Sequence, residues 1–224
     1  LLPGRGETVG AQLTGDDRVR GVMFTGSTEV ATLLQRNIAS RLDAQGRPIP
    51  LIAETGGMNA MIVDSSALTE QVVVDVLASA FDSAGQRCSA LRVLCLQDEI
   101  ADHTLKMLRG AMAECRMGNP GRLTTDIGPV IDSEAKANIE RHIQTMRSKG
   151  RPVFQAVREN SEDAREWQSG TFVAPTLIEL DDFAELQKEV FGPVLHVVRY
   201  NRNQLPELIE QINASGYGLT LGVH

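Results

Sequence analysis

Two short segments carry side chains that could act together in covalent chemistry. Glu54 begins the run Glu54–Gly57 (Glu-Thr-Gly-Gly), and Cys88 ends the run Gly85–Cys88 (Gly-Gln-Arg-Cys). A thiolate is a strong nucleophile, and a neighbouring cation such as Arg87 favours its ionisation. A carboxylate can act as a general base, and the nearby glycines let backbone and ligand approach closely. The spacing therefore predicts a thiol nucleophile assisted by a carboxylate base.

Each of these residues also has a purely structural interpretation. A free cysteine is most often a small buried hydrophobe; we predict that role for Cys95, which lies in an apolar run, while Cys115 gives no functional signal. The polar, glycine-containing approach to Cys88 is a poor core segment and favours function. Glu54 follows apolar residues, and a carboxylate at the end of a buried strand is costly unless it is paired or protonated. Such burial would suit a base, but a helix-capping or ion-paired Glu54 fits the sequence equally well.

Two further segments could hold an anionic or sugar-containing ligand. Gly26 and Ser27 open a predicted helix, whose first backbone N–H groups favour an anion, although Ser27 could simply cap that helix. The chain has no complete G-x-G-x-x-G motif. In Glu189–Pro193 (Glu-Val-Phe-Gly-Pro), Glu189 could hold ribose hydroxyls and Phe191 could flank a flat ring. The same segment could be only a turn before a strand.

Composition argues against several other classes of protein. The net charge is −7 and the basic residues are scattered, which argues against a nucleic-acid surface. No apolar run approaches the ~20 residues of a membrane span, and the three cysteines, which form no CxxC motif, favour a reducing cytoplasm. The four histidines lack metal-ligand spacing, so no metal site is predicted. His103 and His142 are predicted to be helix surface residues, and the G-x-S-x-G motif of a serine hydrolase is absent.

The elements that must position these residues alternate between strands and helices. This alternation predicts an α/β fold with a mainly parallel sheet, and the charged run Arg158–Gly170 is predicted to be a solvated loop. The predicted strands are Gly21–Phe24, Pro50–Ala53, Ala60–Val63, Leu91–Leu96, Thr171–Ile178 and Val194–Tyr200. The predicted helices are Thr8–Leu13, Ser27–Arg41, Leu68–Ser83, Glu99–Met117, Ser133–Lys149 and Leu205–Ala214.

Four motifs, in this order, resemble those of the aldehyde dehydrogenase superfamily. They are Phe24–Ser27, Glu54–Gly57, Gly85–Cys88 and Glu189–Pro193, and the resemblance covers essentially the whole chain. Within the superfamily, the residues around Glu54 and Cys88 are most similar to the dehydrogenase region of bacterial bifunctional proline-utilisation proteins. Those enzymes resemble the glutamate-semialdehyde (pyrroline-5-carboxylate) dehydrogenases.

The resemblance implies an activity and a role for each motif. It implies NAD-dependent oxidation of L-glutamate γ-semialdehyde to glutamate in proline catabolism, through a thioester on Cys88 that is hydrolysed by water activated by Glu54. The other residues that it implies are Gly26, Ser27, Glu189 and Phe191 for the cofactor and Ser89 for the substrate carboxylate.

The resemblance also implies a domain organisation. Residues 1–55 would form the back half of a Rossmann-type NAD-binding domain, and residues 56–224 most of an α/β catalytic domain. We expect the chain to be a piece of a longer cytoplasmic homo-oligomer that acts on a small-molecule aldehyde and carries FAD in a separate proline dehydrogenase domain. In isolation the chain is expected to be inactive. A catalytically silent folded fragment, an aldehyde dehydrogenase of another specificity and a cofactor-free thiol hydrolase remain open as alternatives.

Overall fold

The structure is a computed structural model that describes residues 1–156 and 170–224. It separates into two units, Leu1–Gly56 and Gly57–His224. Within the described ranges, no helix is both long enough and apolar enough to cross a membrane. The charged run Arg158–Gly170, predicted to be a loop, lies outside the described residues except for Gly170.

The first unit connects two parallel strands through a helix. Ser27 caps this helix, because its hydroxyl oxygen accepts a hydrogen bond from the backbone N–H of Val30 at 3.2 Å. Met23 and Ile52, one on each strand, are exposed, so the strand pair has little core of its own. In chain order the elements are a short helical turn (Gly6–Gly10), α1 (Ala11–Gly15), β1 (Val22–Gly26), α2 (Thr28–Ile38) and β2 (Leu51–Thr55).

The second unit is built on a six-stranded sheet in the order β5-β6-β7-β4-β3-β8. Neighbouring strands are parallel except for β5 and β6, which are antiparallel. Every residue of β3 and β4 is buried, which explains why both strands are apolar apart from Gln97 at the end of β4, since central parallel strands are covered on both faces. The strands are β3 (Ala60–Val63), β4 (Val93–Gln97), β5 (Val153–Gln155), β6 (Thr176–Leu180), β7 (Val194–Tyr200) and β8 (Leu221–Val223).

Helices pack their apolar stripes around this sheet. On α3 the buried stripe includes Val72, Val76 and Ala80, at the spacing of one helical face. Asp132 caps α5 by accepting a hydrogen bond from the N–H of Ala135 at 2.8 Å. The described helices of this unit are α3 (Thr69–Phe81), α4 (Asp98–Glu114), α5 (Ser133–Ser148) and α6 (Leu205–Ala214). Single helical turns lie at Asp82–Gly85, Phe183–Glu185 and Arg202–Gln204.

The predicted α/β class with a mainly parallel sheet is confirmed, and the bounds predicted for β3, β7 and α6 agree with the structure. The predicted strand Thr171–Ile178 was wrong in its first part, because β6 begins only at Thr176. Pro175 precedes it and has no N–H to donate to a strand ladder. The short antiparallel strand β5 was missed, since three residues carry too little alternation to be recognised.

Candidate active site

Cys88 and Ser89 lie at the exposed centre of a tight turn in the second unit. The backbone N–H of Ala90 donates to the carbonyl of Arg87 at 3.1 Å and closes this turn, which we call the nucleophile turn (Arg87–Ala90). An accessible thiol at the tip of a turn can meet an incoming electrophile. Cys95, by contrast, is buried in β4, as the sequence predicted.

The chain approaches the nucleophile turn through three consecutive residues with left-handed backbone. Ser83, Ala84 and Gly85 have φ angles of 56°, 53° and 65°. Such a conformation costs about 1–3 kcal/mol at a residue other than glycine, so the surrounding packing must impose it. At Gly85 a Cβ atom would collide with the carbonyl of Gly192. The approach to Cys88 is therefore pressed, backbone against backbone, onto the Glu189–Pro193 segment.

Arg92 joins these two segments. Its side chain is fully buried and donates to the carbonyl oxygens of Gly85 (2.7 Å), Arg87 (3.0 Å) and Gly192 (3.2 Å). It also donates twice to Oε1 of Glu189, at 2.8 and 3.1 Å. One guanidinium thus joins the backbone at Gly85 and Arg87 to the Glu189–Pro193 segment.

Arg92 was not among the site residues predicted from the sequence. The available signal was a charged residue inside the apolar run Leu91–Leu96, since a buried charge must be paired. Burial lowers the pKa of Arg92, while the charge and hydrogen bond of Glu189 and then the charge of Cys88 oppose that shift. Arg87, the neighbouring cation noted in the sequence, donates to the carbonyl of Ala78 at 2.9 Å. Arg92 is therefore a cation close enough to Cys88 for the two charges to interact.

Glu189 and Phe191 present a polar and an aromatic surface beside Arg92. Both Arg92 hydrogen bonds reach Oε1 of Glu189, and the structure shows none to Oε2 from the residues it describes, although the side chain is 13% exposed. The ring of Phe191 lies 5.2 Å from the Arg92 guanidinium carbon and is itself 46% exposed. Glu189 and Phe191 thus offer a carboxylate oxygen that can accept hydrogen bonds from hydroxyl groups, next to a flat apolar surface.

Gln86 directly precedes the nucleophile turn and hydrogen-bonds to the backbone of a neighbouring segment. Its Oε1 accepts a hydrogen bond from the N–H of Ile131 at 2.8 Å, and its Nε2 donates to the carbonyl of Pro129 at 3.3 Å. The side-chain amide therefore pairs with a neighbouring backbone as a strand would. This contact was also missed, because a glutamine in a loop has no sequence signature for its partner.

Three predicted site residues belong to the first unit. Gly26 is the last residue of β1, Ser27 follows it as the cap of α2, and Glu54 lies near the end of β2, opposite Thr25. Glu54 is exposed, so the prediction that it ends a buried strand was wrong for this chain. Its β2 neighbour Ile52 is exposed as well. The structure thus groups the predicted residues into two sets, with Cys88, Ser89, Glu189 and Phe191 in the second unit.

A pair of histidines lies behind Arg92. His196 of β7 is fully buried, and its Nδ1 is 3.2 Å from the backbone carbonyl of Arg92. Because a carbonyl only accepts, Nδ1–H must donate, which leaves Nε2 of His196 to accept from Nε2–H of His142 at 2.9 Å. His142 of α5 was predicted to be a surface residue; that prediction was wrong, since its ring is half-buried against His196.

We expect this pair to make stability pH-dependent. Burial lowers the pKa of His196 to about 3, with the charges of His142 and Arg92 acting in the same direction. Burial also lowers the pKa of His142, as do the charges of Lys149 and Lys188. The unfolded chain therefore binds more protons than the folded chain below pH ~6.5. The stability that the neutral histidine pair contributes to the free energy of unfolding is therefore fully present above that pH and is lost as the pH falls towards 3.

The measurement is urea unfolding at several pH values for wild type and His196→Gln. The wild-type free energy of unfolding should fall more steeply, by up to about 1.4 kcal/mol per pH unit for the group removed. His103→Gln removes an exposed imidazole from α4 and is the matched control. Parallel curves for wild type and His196→Gln would contradict the prediction.

Comparison with known proteins places the whole chain in one family. Residues 1–224 match the aldehyde dehydrogenase family. The chain is 93% identical to the bifunctional protein PutA of Salmonella typhimurium, over 100% of the chain and 17% of that relative. It therefore spans less than a fifth of this relative's length.

Two solved structures share the fold. A bifunctional proline utilization A (PutA) protein aligns with a TM-score of 0.89 at 47% identity, covering 99% of the chain and 21% of that protein. A 1-pyrroline-5-carboxylate dehydrogenase from Thermus, solved with bound NAD, aligns with a TM-score of 0.85 at 33% identity, covering 100% of the chain and 42% of that protein.

Proposed function

We propose, from the premise that the chain belongs to the aldehyde dehydrogenase family, that it forms part of an NAD-dependent enzyme that oxidises L-glutamate γ-semialdehyde to glutamate in proline catabolism. Similarity to PutA and to 1-pyrroline-5-carboxylate dehydrogenase supports this substrate, because pyrroline-5-carboxylate is the cyclic form of the semialdehyde. The observation that carries the proposal is the exposed Cys88 thiol on a turn tied through Arg92 to Glu189.

In the proposed reaction, the Cys88 thiolate adds to the aldehyde carbonyl to form a hemithioacetal. The backbone N–H of Cys88 supplies one donor to the developing oxyanion. Loss of a hydride converts the adduct into a thioester, and NAD, when bound, supplies the acceptor for that hydride. Glu54 then takes a proton from the water that attacks the thioester, which releases glutamate and the free thiol.

The side chains around Arg92 fit a nicotinamide riboside. Glu189 keeps Oε2 available to accept from ribose hydroxyls while Arg92 holds Oε1, and the exposed ring of Phe191 can flank the nicotinamide. In the first unit, Ser27 accepts the cap hydrogen bond, so its O–H remains a donor for an oxygen of the cofactor, and Gly26 precedes the start of α2. Ser89, next to Cys88, is proposed to donate to the carboxylate of the substrate.

Glu54→Gln is expected to separate the two halves of the reaction. In the full-length protein, steady-state turnover should fall by roughly 10²-fold or more, because general base catalysis contributes about that much. The first burst of NADH should persist, since thioester formation precedes the step that needs the base. Rapid-mixing absorbance with glutamate semialdehyde, and with an aliphatic aldehyde that lacks the amino-acid end, measures both phases. Equal loss of burst and turnover would contradict the assignment of Glu54 to thioester hydrolysis. Faster oxidation of the aliphatic aldehyde than of glutamate semialdehyde would contradict the proposed substrate.

The second candidate is a chain that is catalytically silent when it is expressed alone. The exposed strands β1 and β2 favour it for the isolated chain, because Met23 and Ile52 lie uncovered. NADH formation by the isolated chain, compared with the full-length protein, distinguishes the two. For the full-length protein we propose, in addition to the dehydrogenase activity, that it is a homo-oligomer and carries FAD in a separate proline dehydrogenase domain.

A further inference from the structure

We propose that Asn59 is a positioning residue for the nucleophile, because its side-chain amide holds the backbone of the nucleophile turn in the orientation that presents Cys88. This inference rests on the proposed function of Cys88. Asn59 lies just before β3, outside the Glu54–Gly57 motif, and no role was predicted for it from the sequence.

Both donors of the Asn59 amide are committed to the nucleophile turn. Nδ2 donates to the carbonyl of Cys88 at 2.7 Å and to the carbonyl of Ala90 at 2.9 Å. Oδ1 accepts from the N–H of Thr220 at 3.1 Å, which joins the approach to β8 to the same amide. Asn59 is only 3% exposed, so the amide is shielded from competing water.

The backbone of Asn59 adds rigidity to this anchor. Its carbonyl accepts from the N–H groups of Arg92 at 3.0 Å and Val93 at 3.1 Å, at the start of β4. The side-chain amide of Asn59 is therefore carried by backbone that is hydrogen-bonded at the start of the two fully buried strands, β3 and β4. Because the carbonyls of Cys88 and Ala90 are fixed, so are the planes of the Cys88–Ser89 and Ala90–Leu91 peptides, and the first of these limits the directions in which the thiol can point.

Gly57 supplies an independent indication that the amide position is specified. A Cβ at Gly57 would lie 2.5 Å from Oδ1 and 2.8 Å from Nδ2 of Asn59, closer than real Cβ contacts. Only glycine leaves the amide in place. Gly57→Ala should therefore displace the anchor without removing any of its polar groups.

Few residue types can replace the amide. Aspartate has nearly its shape but no donor, so it would place a carboxylate against two carbonyl oxygens; serine offers a single donor on a shorter side chain. A displacement of about 1 Å at a reacting group can lower a rate by about 100-fold. Asn59→Asp and Gly57→Ala should therefore slow the attack of Cys88, and Asn59→Ser should have an intermediate effect.

The experiment measures the second-order rate of Cys88 alkylation by iodoacetamide together with kcat and KM in the full-length protein. We expect alkylation and kcat to fall by about 10- to 100-fold in Asn59→Asp, while KM for NAD stays at the wild-type value. A merely structural role would not separate these parameters. Asn201→Asp is the matched control, because Asn201 caps an exposed turn through an oxygen that aspartate retains.

The milder Asn59→Ser and Gly57→Ala variants keep the test decisive if Asn59→Asp fails to fold. Wild-type alkylation and kcat in folded variants at these two positions would overturn the positioning role. Alkylation does not depend on the aldehyde or on NAD. Failure of the proposed function would instead show as undiminished oxidation by a protein whose Cys88 has been removed.

Discussion

A Cys88→Ala variant of the full-length protein will bind NAD as the wild type does but will oxidise glutamate semialdehyde at least about 10³-fold more slowly, because removing the nucleophile closes the covalent route. The exposed position of the thiol makes the change local. Cys88 lies at the tip of the nucleophile turn, and the turn is held by backbone groups and by Arg92, none of which the substitution removes. Rapid-mixing absorbance should show neither burst nor steady formation of NADH.

The other cysteines provide the controls for this experiment. Burial raises the pKa of the Cys95 thiol to about 12, so it cannot take over as a thiolate at neutral pH. The thiol of Cys115 contacts the carbonyl of Ala111 at the end of α4. The control variant Cys115→Ala should retain wild-type turnover. Substantial NADH formation by Cys88→Ala would show that another group is the nucleophile.

Arg92→Met should be the most destabilising of the substitutions considered. It leaves the Glu189 carboxylate, 13% exposed, without its cation and removes the donors to the Gly85, Arg87 and Gly192 carbonyls. Removing one partner of a buried ion pair costs about 3–5 kcal/mol. The left-handed approach to Cys88 also loses the guanidinium that holds it, so NADH formation should fall with stability. Urea unfolding and burst amplitude measure the two effects.

Two further variants separate loss of charge from loss of geometry. Arg199→Met removes a 38% exposed arginine that pairs with Asp102 and Glu179, and it should cost only about 0–1 kcal/mol. In Arg92→Met/Glu189→Leu no unpaired carboxylate remains, so stability should recover in part while NADH formation stays low. An Arg92→Met protein with wild-type stability would contradict the assignment of Arg92 as the link between the two segments.

The sequence by itself determined the local elements and the chemical types at the candidate site. Val194–Tyr200 and Leu205–Ala214 were predicted with their observed bounds, because apolar patterns and turn residues report on nearby backbone hydrogen bonding. The cap at Ser27 was likewise an available interpretation. These features depend on residues a few positions apart, and the information for them is local.

Only the tertiary structure decided how the motifs are held. The bond from Arg92 to Glu189 joins residues 97 positions apart, and that from Asn59 to Cys88 joins residues 29 positions apart. Neither contact has a periodicity or a spacing rule, since each depends on which buried donors the packed strands bring to which carbonyl oxygens. The exposure of Glu54 was mispredicted for the same reason: an apolar strand sequence records a preference for burial, whereas actual burial depends on the elements that pack against the strand.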